Sequence, residues 1–137
     1  MCDSHDASRH AGDAEGFLSM DQLVLERIRS ALDGHYGQDQ QLIAETGLRL
    51  VELLLRKNAD YGSSAWQAPV LAPGMSPSDA IQCRMSDKVA RIAGLAAGKN
   101  PEVSESLRDT ISDLAGYAIL WLGYADRVAV ATDSETD

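Results

Sequence analysis

Three of the chain's four prolines, Pro69, Pro73 and Pro77, fall between positions 69 and 77. Proline removes a backbone donor and clashes with the preceding helical turn, so this cluster marks a stretch that helix does not cross. The fourth, Pro101, follows Asn100 and breaks helix a second time. Between these breaks apolar residues recur at spacings of three and four, and no segment alternates as a strand does. The expectation is an all-α fold, a helical bundle of about four helices.

The first helix is expected from about Met20 to Leu32, with Ser19 and Gln22 at capping-box spacing and Asp33-Gly34 as its stop. A second runs from near Asp39 to about Asn58, with Ile43, Leu50, Val51 and Leu54 on one side. Its other side carries Glu45, Arg49, Glu52 and Arg56, the pattern of a surface ion-pair ladder. A turn follows at Asp60-Tyr61-Gly62, and then the loop WQAPVLAPGMSP, 66–77. The third helix has Ser76 as N-cap, Pro77 at its first position and Asp79 in its first turn, and it ends at Gly98. The fourth is expected from Pro101 or Ser104 to about Val128.

The chain has 137 residues, 45% of them hydrophobic, enough for one core and one domain. The formal charge of −9 is concentrated at the ends. Residues 1–16 hold Asp3, Asp6, Asp13 and Glu15 against one arginine, and the final DSETD holds three acids, so each end contributes −3. These segments have the composition of disordered acidic tails, and the expected division is a head at 1–16, an all-α domain at 17–130 and a tail at 131–137. An acidic chain is a poor match to nucleic acid or to an anionic membrane. No apolar run is long enough for a membrane span, and MCDSHDASRH lacks a leader pattern. With Cys2 and Cys83 forming no disulfide framework, a cytoplasmic setting is expected.

Chemistry is suggested by the third and fourth helices. Ile81, Met85, Val89, Ile92 and Leu95 read as core, while Arg84, Asp87, Lys88 and Arg91 share one stripe. In the fourth helix Glu105, Asp109 and Asp113 stand four apart, with Leu107, Ile111, Leu114, Ala118 and Trp121 as the core side. After Gly116 the run YAILWLGY is apolar all round, so the carboxylate row is expected to be buried or half-buried. Such a row needs compensation, from the cationic stripe or from a divalent metal. Oxygen ligands suit Mg²⁺. His5, His10 and His35 show no zinc spacing. No phosphate loop or nucleophile elbow is present, and Cys83 reads as a small buried hydrophobe.

The segments KNADYGSSAW (57–66), IQCRMSDKVARIAGL (81–95) and ESLRDTISDLAGYAIL (105–120) resemble the nucleotide-modification-associated domain (type 1) found mostly in bacteriophages. Its pattern is approximately K-x-x-D-Y-G, then R-x-x-D-K-x-x-R, then E-x-x-x-D-T-x-x-D-x-x-x-Y. More distantly the arrangement is similar to the MazG-type all-α nucleotide pyrophosphohydrolases, although Glu45 and Glu52, seven apart, stand where that group has E-x-x-E. The resemblance implies Mg²⁺ (or Mn²⁺) on Asp109 and Asp113 with Glu105 and Glu52. It implies phosphates at Lys57, Arg84, Lys88 and Arg91, and a nucleotide site at Asp60, Tyr61, Trp66 and Asp87.

Two functions are open on this basis. One is a Mg²⁺-dependent pyrophosphohydrolase of nucleoside triphosphates, acting in phage nucleotide metabolism and in the host cytoplasm if phage-encoded. The other is a non-catalytic module that binds or sequesters a nucleotide. Self-association as a dimer or tetramer is expected under both, because YAILWLGY offers more apolar surface than one short bundle covers.

Overall fold

The computed structural model describes residues 19–134. It is all-α, with no strand among the described residues: α1 Met20–Leu32, α2 Gln38–Tyr61, α3 Pro77–Ala96 and α4 Leu107–Ser134, plus one 3₁₀ turn at Ser64–Trp66. None of these helices is long and apolar enough to cross a membrane. The head at 1–16 lies outside the described residues, as do 135–137 of the tail; 131–134 continue α4. By its contacts the chain divides into two compact units, 1–44 and 45–137, where composition alone predicts one domain.

In the first unit α1 begins as its sequence requires. The Ser19 hydroxyl accepts from Gln22 N, and the Gln22 side chain accepts from Ser19 N at 2.8 Å, a reciprocal cap. Ala31 is buried near its end.

The second unit holds the greater part of α2, with α3 and α4. α3 starts at the Ser76 cap, whose hydroxyl accepts from Asp79 N at 3.1 Å. It lies close along α4. Ile81, 2% exposed, is buried with Ala80 near the start of α3, and Thr110 is fully buried in α4, where Arg91 Nε of α3 donates to its hydroxyl. Trp121 Nε1 donates to Ser78 Oγ at 3.0 Å and ties the middle of α4 to the start of α3. Residues 45–61 of α2 meet α4 through side chains. A Cβ at Gly116 would lie 3.1 Å from Leu54 Cδ2, so the missing side chain lets Leu54 rest on the α4 backbone.

α4 departs most from expectation. It begins at Leu107, so Glu105 precedes the helix instead of forming its first row. Its inward face is rotated: Thr110 and Gly116 are buried and Asp113, Leu114, Tyr117 and Trp121 half-buried, while Leu107 and Ile111 are exposed. On α3, likewise, Val89 is exposed and Lys88 takes the inward position one residue earlier. Cys83 is also exposed, on the side of α3 away from Ile81. YAILWLGY is only half sunk. Ile119 and Leu122 remain exposed, the apolar excess from which self-association is expected.

Truncating the most buried anchor tests this packing. Ile81→Ala is expected to lower unfolding free energy by about 2–4 kcal/mol in chemical denaturation. A loss below about 1 kcal/mol would show that α3 and α4 do not pack through this residue.

Candidate functional site

The site grows from the half-buried charges between α3 and α4. Lys88 Nζ lies 2.9 Å from Asp113 Oδ2 and 3.2 Å from Glu105 Oε1, bridging both carboxylates. Asp113 is met from α2 by Lys57 Nζ at 3.5 Å, and Glu105 by Arg91 Nη1 at 3.5 Å. Arg91 also donates through Nη2 to the Glu105 carbonyl at 2.8 Å and through Nε to Thr110 Oγ1 at 3.1 Å. The Thr110 hydroxyl lies within 3.3 Å of Glu105 Oε1 and of the Ser106 carbonyl. The result is one relay: Lys57, Asp113, Lys88, Glu105, Arg91, Thr110.

These contacts set the protonation of the relay's centre. Partial burial by itself would push the Asp113 carboxyl up. The Lys88 ammonium, by hydrogen bond and charge, and Lys57 outweigh it and hold the carboxyl below its ordinary range. The hydrogen bond from Lys88 to Asp113 raises the Lys88 ammonium; burial opposes this and Glu105 adds to it.

Asp109 has a different task. Ser106 Oγ donates to Asp109 Oδ2 at 2.7 Å, while Asp109 N donates back to Ser106 Oγ at 3.1 Å, which caps the start of α4. Its side chain is spent on that cap and is exposed. Glu52 pairs with Arg56 at 2.9 Å on the solvent side of α2, as the ladder spacing predicts. Among the described residues no three His, Cys, Asp or Glu side chains gather in a group able to hold a metal ion. Glu52, Glu105, Asp109 and Asp113 therefore do not form a cage, and a resident Mg²⁺ does not fit this arrangement. Of the expected row, Glu105 and Asp113 are compensated by lysine and arginine, while Asp109 is exposed and held by Ser106.

Residues 57–66 shape the other wall. α2 ends at Tyr61, and Gly62 and Ser63 both take left-handed backbone, φ +57° and +59°. Gly62 adopts it without strain, and the Ser63 turn is held by Asn58, whose Nδ2 donates to Ser63 Oγ at 3.2 Å. The chain then places Trp66 against α4. Its Nε1 donates to the Leu120 carbonyl at 3.0 Å, and a Cβ at Gly123 would meet its ring at 3.3 Å. Trp66 thus bolts the turn to α4 and does not line the cavity described next.

That cavity, about 370 Å³, opens between α2, α3 and α4. Leu50, Leu53, Leu54 and Leu120 supply an apolar wall, with Tyr61 and Tyr117 as rings. Lys57, Arg84 and Asp113 bring charge, and Asn58, Ser64 and Ser112 bring neutral polar groups. The Arg84 guanidinium stands 6.0 Å from the Tyr117 ring centroid, at the edge of cation–π range. Of the residues singled out from sequence, Lys57, Tyr61, Arg84 and Asp113 come together here. Lys88 and Arg91 reach the cavity only through the relay, and Asp60 and Asp87 are exposed outside its lining. Tyr117 was not anticipated as a site residue. Its signal was present, since it stands four residues after Asp113 and closes the third motif.

Residues 57–122 match the family model described as nucleotide modification associated domain 1. The match covers 66 of the chain's 137 residues, just under half. The matched span contains Lys57, the turn, all of α3 and the first half of α4, hence most of the cavity wall. No curated protein and no solved structure matches the chain. The domain's description fits nucleotide metabolism in the broad sense.

Removing the relay's bridge tests it. Lys88→Ala leaves Asp113 to Lys57 and Glu105 to Arg91, and is expected to cost about 1–3 kcal/mol of stability. Because the folded-state pKa of Asp113 is depressed, its contribution is present at neutral pH and is lost as pH falls below about 4 and through that lowered value. The raised Lys88 acts at the other end: its contribution is present below its ordinary range and is lost as pH rises through its folded pKa. Asp113→Asn should therefore flatten the acid limb of a stability-versus-pH curve. An unchanged limb would count against the relay.

Proposed function

We propose that the domain binds a nucleotide in this cavity. The single observation that supports the reading is the convergence of two tyrosine rings and two cations on an apolar wall, within a segment that matches the nucleotide modification associated family model. In this reading the base lies against Tyr117 and Tyr61 over the leucines. The phosphate meets Lys57 and Arg84, where charge-assisted bonds are the strong ones.

A non-catalytic binding module is the form that the geometry supports best. Glu105 and Asp113 are neutralised by the relay, Asp109 is engaged in a cap and Glu52 in a surface pair. A second reading, a Mg²⁺- or Mn²⁺-dependent pyrophosphohydrolase of nucleoside triphosphates, has one observation in its favour. Asp113 lines the cavity, and Mg²⁺ is commonly held by one or two carboxylates together with substrate phosphates.

Thermal-shift titration with nucleotides, with and without Mg²⁺ or Mn²⁺, followed by product analysis, tests both. The expected result is ligand stabilisation without turnover. Tyr117→Ala is expected to weaken binding about tenfold or more, the scale of one lost base–aromatic stack. Release of pyrophosphate would establish the hydrolase reading instead. Absence of stabilisation by any nucleotide, with the protein shown to be folded, would defeat both.

A further inference from the structure

We infer that the ligand class of this cavity is a nucleoside monophosphate, bound without a divalent cation; the inference rests on the nucleotide-binding reading above. It follows from the charge balance. The lining and the relay together hold Lys57, Arg84, Lys88 and Arg91 against Glu105 and Asp113, two cations in excess. Lys57, Lys88 and Arg91 each face a carboxylate within 3.5 Å. Arg84 lines the cavity without an ion pair among the described residues, its guanidinium 6.0 Å from the Tyr117 ring centroid.

A phosphate monoester carries about −1.5 to −2 charge at neutral pH, which matches that excess. A triphosphate carries roughly twice as much and needs a further cation, such as a bound metal, to balance it. Among the described residues no carboxylate cage is gathered to hold such a metal.

Size agrees. The cavity's 370 Å³ stands near the lower end of the range for small-molecule sites, about 300–1,000 Å³, and suits one nucleoside with one phosphate. Lys57, about half exposed and 3.5 Å from Asp113, is the looser of that carboxylate's two lysines. It can turn to a phosphate while Lys88, at 2.9 Å, keeps Asp113 neutralised. Arg84 supplies the fork that a phosphate accepts in two parallel bonds.

Isothermal titration of the full chain in EDTA, with EDTA left out of the Mg²⁺ arm, tests the inference. The probes are dTMP and dAMP, the matching nucleosides, inorganic phosphate, and dTTP with and without Mg²⁺. At least one monophosphate is expected to bind without metal, tenfold or more tighter than its nucleoside and than inorganic phosphate. Arg84→Ala should remove about tenfold or more of that affinity. Arg108→Ala, at an exposed position outside the cavity, should leave it unchanged. Binding of Mg²⁺–dTTP with none by either monophosphate would overturn the inference and leave nucleotide binding standing. Equal affinity for inorganic phosphate would overturn it too. No binding by any probe would remove both readings.

Discussion

Lys88 joins two carboxylates that the chain brings from different places, Asp113 from inside α4 and Glu105 from the segment before it. Among the described residues, the ion pairs between separate elements of the second unit all involve that ammonium or one of its two carboxylate partners. Its partners are about 30% exposed, dry enough for the charges to matter and wet enough to avoid the full cost of burial. Arg91 completes the closure by binding the Glu105 carbonyl and Thr110, so the turn leading into α4 is fastened to α3 by side chains.

This closure leaves the cavity with a particular character. Of the carboxylates that suggested a metal, Glu52, Glu105 and Asp113 are paired with lysine or arginine and Asp109 serves a cap, while Arg84 in the lining has no ion pair among the described residues. α3 and α4 pack closely, α2 meets them through Leu54 and Lys57, and the gap between is lined by rings, leucines and cations. Such a lining favours a flat apolar group joined to an anion, the chemical outline of a nucleotide. Residues 57–122 match a family model whose description fits nucleotide metabolism in the broad sense.

Much of the fold was legible because local chemistry dictated it. The caps at Ser19 and Ser76, the stop at Gly98 and the proline cluster act within a few residues, and α1 and α3 stand where those signals place them. α4 starts at Leu107 and not at Pro101 or Ser104, because Ser106 and Asp109 cap it there. Asp109 thereby serves that cap. Of the residues named from sequence, Lys57, Tyr61, Arg84 and Asp113 line the cavity. Trp66 stands outside that lining because its ring is drawn to Gly123 and the Leu120 carbonyl, a contact 54 positions away that no local pattern encodes.

The amino-acid sequence by itself determined the helices, their breaks and the sorting of acids and bases onto stripes, since helical periodicity and capping are short-range effects. It also determined that a half-buried carboxylate row must be neutralised. Tertiary structure alone decided by what. A helix fixes which residues share a face to within about one position, and the direction of that face is set by what it packs against. A rotation of that size put Lys88 inward in place of Val89, and Thr110 and Asp113 inward in place of Ile111. Lysine thereby came within hydrogen-bonding distance of both carboxylates, and a row that reads in one dimension as a metal site became an ion-pair relay beside a cationic cavity.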